Sequence, residues 1–198
     1  MAVSNRATTA MYTAIGRLAV VWAVLETILD IMILLFMAVR PITGVPDRRQ
    51  PVSLNRKLAY LKKVFRSDPI PQTLRVEGEA IIARIMVAKE ARHDLIHGLA
   101  QGLVSEDRFG FKRALHREGR SAHRTTTYRL ADMRVLVKDA EALQERCMVV
   151  LEQLYAPLME PLKNLISDVA SGKLPATALE PAQDVLKPID KDDPTRVH

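Results

Sequence analysis

Long apolar stretches with helical spacing dominate the chain and predict a mainly helical fold. The first stretch, residues 8–39, contains no helix breaker apart from a tolerable Gly16. It ends at Arg40-Pro41 because the residue before a proline avoids the helical region. Apolar side chains surround this helix on nearly every side, so we expect it to be buried all round. One subunit of 198 residues can hardly cover such a helix, which predicts contact with a second subunit.

Two further helices are expected after a proline-rich loop at 41–52. Ser53 is a suitable N-cap for a helix that runs to Arg66. One face of this helix has apolar residues at helical spacing, and the other face is basic, with Arg56, Lys57, Lys62 and Lys63. A third helix is predicted from about Pro71 to Gly98, where a glycine suits the left-handed conformation that commonly follows a helix.

The pattern changes in residues 100–129, which are rich in Arg, Thr, Phe and Tyr and contain turn signals. Alternation there predicts a small antiparallel hairpin or a three-stranded flap that must lie on the helices, since it is too small to be stable alone. A strong amphipathic helix follows over 131–155, and Pro157 is expected to break or kink it before a short helix around 158–170.

Composition agrees with one helical domain. The predicted fold class is all-α: an up-and-down helical bundle over residues 1–170, with a small inserted β-hairpin or flap before the last long helix. Residues 171–198 are proline-rich and charged and are expected to form a mobile tail. The low content of glycine and aromatic residues argues against a sandwich or barrel. Cys147 is the only cysteine, which excludes an internal disulfide and predicts a reducing compartment, the cytoplasm.

The net charge of +6 favours a polyanionic partner such as nucleic acid. The positive charge is concentrated in residues 40–66, with eight basic side chains against one acidic, and in 108–134, with eight against two.

The stretch Leu18 to Val39 is long enough to cross a membrane. Glu26 and Asp30 near its middle would each cost about 2.5–3.5 kcal/mol at a bilayer centre. We therefore expect a core helix, no signal peptide and no membrane contact.

Ionisable side chains crowd the end of the third helix, in the segment Lys89-Glu90-Ala91-Arg92-His93-Asp94-Leu95-Ile96-His97-Gly98. His93 and His97 are four residues apart and stack on one helix face, and Arg92 is long enough to reach the same space. Spacing alone leaves three interpretations open. The side chains could be cations that favour a helix C-terminus, a two-ligand metal clamp, or a catalytic pair. The metal interpretation lacks an obvious third and fourth ligand.

Arg92-His93-Asp94-Leu95-Ile96-His97 resembles the Arg-x4-His motif of the HEPN superfamily. In that family a polar residue such as His93 follows the arginine, and a small residue such as Gly98 is common after the histidine. The resemblance covers roughly residues 10–155. It implies a homodimer in which two Arg/His pairs face each other in one cleft. It also implies a metal-independent endoribonuclease without cofactors, in toxin–antitoxin, anti-phage or RNA-processing roles.

The resemblance assigns roles residue by residue. Arg92 and His97 would be the catalytic pair and His93 their polar support, with Glu26, or alternatively Asp30, as the acid from another helix. The ribose 2′-OH would attack the adjacent phosphate and leave a 2′,3′-cyclic phosphate. Histidine suits the proton transfer, and a forked guanidinium suits the growing negative charge.

Two alternatives from other classes remain. Some family members have lost activity, so the chain could be a non-catalytic HEPN-like dimer that binds nucleotide, RNA or a protein partner. It could also be a helical protein that attaches to membranes through its first helix. One toxin branch carries a tyrosine that its antitoxin modifies where this chain has Leu99, so the chain departs from that branch. A different protein antitoxin or regulator is still an expected partner.

The basic flap follows the motif directly and supplies the predicted RNA contacts, which are Arg113, Arg117, Arg120 and Arg124. Phe109, Phe111 and Tyr128 are candidates for stacking on unpaired bases. In the alternative, these aromatic rings pin the flap to the helices and the arginines are solvated on its outer side.

Overall fold

Four helices and a three-stranded sheet make up the part of the chain that the computed structural model describes, residues 2–38, 50–66, 70–105, 107–117 and 120–173. In chain order the elements are α1 (Ala2–Ala38), α2 (Leu54–Phe65), α3 (Gln72–His97), β1 (Leu99–Ser105), β2 (Arg108–Arg117), β3 (Arg120–Arg129) and α4 (Leu130–Ala170). The fold is therefore mostly helical with a small antiparallel sheet before the last helix. Most of the predicted tail, from residue 174 onward, lies outside the described residues.

Helix α1 supplies the largest share of the hydrophobic core. It begins at Ala2, before the predicted start at residue 8, and the predicted end at Val39 lies just outside the described residues. Trp22, Ile33 and Phe36 have no exposed surface. The buried face of α1 packs mainly against α4 and also touches α2 and α3. Burial of this face against three helices explains why so apolar a helix forms the centre of the fold.

The opposite side of α1 is not covered by the described chain. Val20, Val24, Ile31 and Leu34 are 37–66% exposed and form one line along the helix, which we call the α1 stripe. One subunit therefore leaves part of α1 uncovered, and the expected cover by a second subunit stays a prediction. By length and composition, the helix from Asn5 to Ala38 could cross a membrane, although half of its most apolar window is buried.

Helix α4 is longer than the sequence indicated. It continues from Leu130 to Ala170 through Pro157, where a break or kink and a separate helix were expected. Its apolar face reaches the core through Met133, Val137, Ala140, Leu143, Cys147, Val150 and Leu154. Burial raises the pKa of the Cys147 thiol to about 12, so this side chain is a neutral core residue at ordinary pH.

Helices α2 and α3 run antiparallel and touch closely. The predicted N-cap is present, since Ser53 Oγ accepts a hydrogen bond from the Arg56 amide at 3.4 Å. Near the other end of α2, the Phe65 ring lies against Gly78 of α3. A Cβ atom at Gly78 would come within 2.7 Å of three Phe65 ring carbons. Glycine therefore sets the distance between the two helices at this point.

The sheet has the strand order β1-β2-β3, and both strand pairs are antiparallel. The pairing of β1 with β2 shifts register twice, and Gly102 between these irregularities has a φ of +94°. Phe109 and Phe111 of β2 are both 1% exposed and belong to the core. Because these rings pin the sheet to the helices, the stacking on RNA bases considered for them is wrong.

We expect Gly78→Ala to lower the free energy of unfolding by about 1–3 kcal/mol, the usual cost of overpacking. The loss arises although alanine favours a helix by up to about 1 kcal/mol over glycine. Urea denaturation followed by far-UV circular dichroism measures the change. The control is Gly16→Ala in α1, where nothing lies within 4 Å of the added Cβ, and it should be neutral or stabilising. Similar effects of the two substitutions would contradict the close approach at Phe65.

Candidate active site

Arg92 lies at the centre of a polar cluster formed by α1 and the end of α3. Its Nη1 is 3.3 Å from His97 Nε2, and its Nη2 donates to Glu26 Oε1 at 3.4 Å. Trp22 Nε1 donates to the same Glu26 oxygen at 2.9 Å. The Trp22 ring centroid is 5.5 Å from Arg92 Cζ. The arginine, the histidine and the acid that the sequence suggested therefore meet at one place.

The spacing of α1 explains how Glu26 and Trp22 act together. The two residues are four apart, so their side chains share a helix face. The indole of Trp22 is fully buried and needs an acceptor for its N–H, which the Glu26 carboxylate provides. The same carboxylate then binds Arg92, whose cation also gains from the ring of Trp22. Trp22 was not among the predicted site residues; a tryptophan one turn before an acid on a core helix was the available signal.

His93 and His97 stack as their spacing predicted, with ring centroids 4.8 Å apart and a tilt of 58°. Both residues are exposed. Partial desolvation lowers the pKa of His93, and the positive charges of Arg113, His97 and Arg92 lower it further. The neutral form of His93 is therefore favoured near pH 7. Protonation there would place another cation beside two arginines.

The contact between Arg92 and His97 also has a consequence for protonation. A guanidinium can only donate, so this contact is a hydrogen bond only when His97 Nε2 carries no proton. The ring proton then lies on Nδ1, and the Nε2 lone pair accepts the hydrogen bond from Arg92. The arrangement places a basic nitrogen next to a fixed cation. Chemically, such a pair can take up a proton while it stabilises an adjacent anion.

Asp94, between the two histidines in sequence, is the most deeply buried charge of the motif, with 1% of its side chain exposed. Tyr128 Oη and Thr126 Oγ1 donate to its Oδ2 at 3.1 and 3.2 Å. Arg113 Nη1 is 3.2 Å from Oδ1, an ion pair without hydrogen-bond geometry. Burial and the nearby Asp94 charge raise the pKa of Tyr128 to about 12. Asp94 thus fastens the sheet to the motif helix.

Two of the arginines predicted to bind RNA, Arg113 and Arg124, form ion pairs with carboxylates of the same chain. Arg113 has 10% of its side chain exposed and its Nη2 lies 3.3 Å from Glu90 Oε2. Arg124 is partly exposed and lies within 4 Å of both Glu90 and Asp94. A buried guanidinium paired with two carboxylates does not present its charge to a ligand. The RNA contact expected of Arg113 is therefore corrected to an internal ion pair.

The other predicted RNA contacts lie at the far end of the β2–β3 hairpin. Arg117 and Arg120 face each other across the two strands there. The structure describes the backbone of these two residues and not their side chains. Their contact with RNA stays a prediction, as does a contact by the exposed edge of Arg124.

Asp30, the alternative acid of α1, turns away from the motif. Its Oδ2 is 2.7 Å from Nζ of Lys57 on α2, which is itself buried. Glu26 is therefore the α1 acid that reaches Arg92. Within the described ranges, no group of three or more His, Cys, Asp and Glu side chains is placed to hold a metal ion. The clamp of His93 and His97 thus has no further protein ligand there.

Comparisons with known proteins leave the site to be interpreted from its own geometry. The chain matches no protein-family model, no curated protein and no solved structure. The resemblance to the HEPN superfamily accordingly depends on the Arg92–His97 hexapeptide and its helical context. The roles of individual side chains depend on the contacts described above.

We expect Asp94→Asn to lower the free energy of unfolding by about 3 kcal/mol, because it leaves Arg113 buried without its closest counter-charge. Chemical denaturation of the purified variant measures the loss. The matched control is Glu90→Gln, which removes a 53% exposed partner of the same arginines. The control substitution should lower the free energy of unfolding by less than about 1 kcal/mol, because an exposed ion pair contributes little to stability. Equally small losses would show that Asp94 is not the residue that holds the sheet.

Proposed function

We propose that this protein is a metal-independent endoribonuclease of the HEPN type. The contact of 3.3 Å between Arg92 Nη1 and His97 Nε2 carries the proposal. The cluster has access to solvent, since His97 is exposed and 21% of the Arg92 side chain is exposed. Glu26 and Trp22 hold the guanidinium from behind, so its position is set before a substrate arrives. Such preorganisation is what makes a charge effective in catalysis.

In the proposed reaction the ribose 2′-OH is the nucleophile. His97 Nε2 takes its proton while O2′ forms a bond to the adjacent phosphorus. The bond from phosphorus to O5′ then breaks, and the leaving oxygen takes a proton from a second, protonated His97 across the proposed dimer, so the two imidazoles exchange protonation states. The products are a 2′,3′-cyclic phosphate and a 5′-hydroxyl end. No metal or cofactor enters this balance of bonds and protons.

The other side chains support these steps. Arg92 directs its fork toward the non-bridging phosphate oxygens, and one such donor contributes about 10²–10³ in rate. Glu26 positions Arg92 and does not touch the substrate. His93, whose pKa is lowered, serves as a neutral polar group beside Arg92 and His97. Proton transfer by His97 contributes a further 10²–10⁴, roughly.

The proposal includes a homodimer of up-and-down helical bundles. The packing of α2 on α3, and of α1 and α3 on α4, supports the bundle. The α1 stripe supports the dimer, because an exposed apolar line on so apolar a helix is a suitable surface for a second copy to cover. We place the dimer in the cytoplasm, with RNA as substrate and a protein antitoxin or regulator as a further partner, in toxin or anti-phage defence.

One observation favours the non-catalytic alternative. Arg92 already contacts Glu26, His97 and Trp22, and this closed cluster could serve only to join α1 to α3. In that case the dimer would bind nucleotide, RNA or a protein without cleaving it. The two candidates differ in whether Arg92 leaves His97 for a phosphate. A cleavage assay separates them directly.

Purified protein should cleave single-stranded RNA in the presence of a chelator and leave 2′,3′-cyclic phosphate ends. His97→Ala should slow cleavage by about 10²–10⁴-fold, since it removes the base. Arg92→Lys should be slowed as well, because a lysine lacks the fork of a guanidinium. His123→Ala changes an exposed histidine of β3 and is the control that should retain activity. Gel analysis of the cleavage products measures each rate.

Three results would contradict the ribonuclease. Cleavage of all-deoxy substrate at the RNA rate would exclude attack by the 2′-OH. Loss of activity in chelator would point to a metal mechanism instead. Binding of RNA without any cleavage would favour the non-catalytic dimer.

Light scattering at low micromolar concentration should give about twice the mass of one 22.2 kDa chain. Placing two charges in the α1 stripe, Val24→Glu with Ile31→Glu, should yield monomers because charge is excluded from an apolar interface. The matched control places the same charges at exposed valines elsewhere, Val87→Glu with Val135→Glu, and should remain dimeric. A monomeric native protein would contradict the dimer. A native protein that needs detergent would favour membrane attachment through α1.

A further inference from the structure

A groove of about 530 Å³ runs between α2 and α3, outside the Arg92 cluster. Its floor is apolar and includes Leu58, Ile82 and Met86. Ala59 and Ala83 line the groove from the two helices, and their small side chains leave the space open. A cavity of this size can hold a small ligand or one unit of a polymer.

Polar side chains frame the groove at both ends. Lys89 Nζ donates to Asn55 Oδ1 at 2.8 Å at the end nearer the motif. Arg66 Nε lies 2.6 Å from Glu79 Oε1 at the other end. Lys62 stands between them on α2. The lining therefore combines an apolar floor with three cations and one carboxylate, and it suits a ligand with an apolar body and negative charge.

The wider surroundings of the groove are also positive. Residues 50–66 contain no acidic residue, and their basic side chains are Arg56, Lys57, Lys62, Lys63 and Arg66. Lys57 does not contribute to this positive surface, because it is buried in an ion pair with Asp30. The sheet differs, since Arg113 and Arg124 lie against the carboxylates of the motif helix. The basic side chains of α2 therefore give the groove a positive surround that suits a polyanion.

The groove is continuous with the candidate active site along α3. Ile82, Met86, Lys89, His93 and His97 are spaced by three or four residues and share one helix face. Lys89 is one turn from His93, a rise of about 6 Å, and two turns from His97, about 12 Å. A chain lying in the groove would therefore pass toward the two histidines.

We propose that this groove binds a flanking nucleotide of the single-stranded RNA substrate, a few positions from the cleaved phosphate. The base lies on the apolar floor of Leu58, Ile82 and Met86. Lys62 and Lys89 contact the phosphates on either side. The choice of RNA as the ligand rests on the proposed function, whereas the location rests on the groove itself. The groove then contributes to RNA affinity and sets which phosphate reaches the Arg92 cluster, and the cluster cleaves the RNA.

The test measures RNA binding separately from cleavage. In a His97→Ala background, anisotropy of a labelled 12-nucleotide single-stranded RNA is titrated at three salt concentrations. Lys62→Gln with Lys89→Gln should weaken binding at least fivefold at low salt and reduce the salt slope by about 0.7 for each lost phosphate contact. Ala83→Phe fills the groove without changing charge, and it should weaken binding with an unchanged slope.

The matched control removes two charges from exposed residues of α4, Arg134→Gln with Lys138→Gln. This variant should bind RNA nearly as tightly as the background protein. Equal weakening by the groove pair and the control pair would overturn the proposal in favour of diffuse charge attraction. Native affinity in Ala83→Phe would overturn it as well. Far-UV circular dichroism confirms that each variant is folded.

Two comparisons separate this proposal from the ribonuclease. If the native protein cleaves RNA and the groove variants bind it normally, only the groove proposal is contradicted. If the native protein never cleaves RNA but the groove variants lose RNA binding selectively, the ribonuclease proposal is contradicted and the groove proposal is supported. Binding of an oligoglutamate peptide that these variants abolish, with no RNA binding, would overturn the proposal and assign the groove to an acidic protein partner.

Discussion

A carboxylate that keeps 1% of its surface exposed must be matched by donors and positive charge, and Asp94 obtains both from the sheet. The hydroxyls of Thr126 and Tyr128 supply hydrogen bonds, and Arg113 supplies the closest charge. This requirement determines which face of β2 and β3 lies on α3. It also explains why an arginine-rich segment contributes less positive surface than its composition suggests. The low pKa of His93 follows in part from the same arginine.

The end of α3 is held from two sides. Successive residues of a helix point about 100° apart, so Arg92 and Asp94 point in nearly opposite directions. Arg92 meets Glu26 of α1, and Asp94 meets the sheet. His93 and His97 lie between these two directions and remain exposed. Two buried or half-buried ion pairs therefore fix the backbone of the last helical turns, while the imidazole rings keep access to solvent.

Local patterns in the sequence were sufficient for the elements and for part of the cluster. Helical periodicity predicted helices in all four places where the described residues form them, although the last was expected as two segments. Ser53 was correctly identified as an N-cap because capping depends on a few adjacent residues. The stacking of His93 and His97 followed from their spacing alone. In each case the relevant interaction joins residues within one turn of a helix.

Contacts between distant segments could not be predicted in the same way. Trp22 and Asp94 acquire their roles from partners 70 and 34 positions away, which periodicity does not encode. The burial of Arg113 depends on the face that β2 turns toward α3, and a shift of one residue would reverse it. Helix α4 likewise continues through Pro157 without the break that the local rule for proline had suggested.

The irregular pairing of β1 bears on how the protein behaves at high concentration. β1 is an edge of the described sheet, and Leu99, Leu103 and Val104 on it are exposed. A straight apolar edge would invite another chain to extend the sheet and would promote aggregation. The two register shifts around Gly102 bend the strand and interrupt its row of free backbone groups. The distorted edge therefore protects against intermolecular β-pairing.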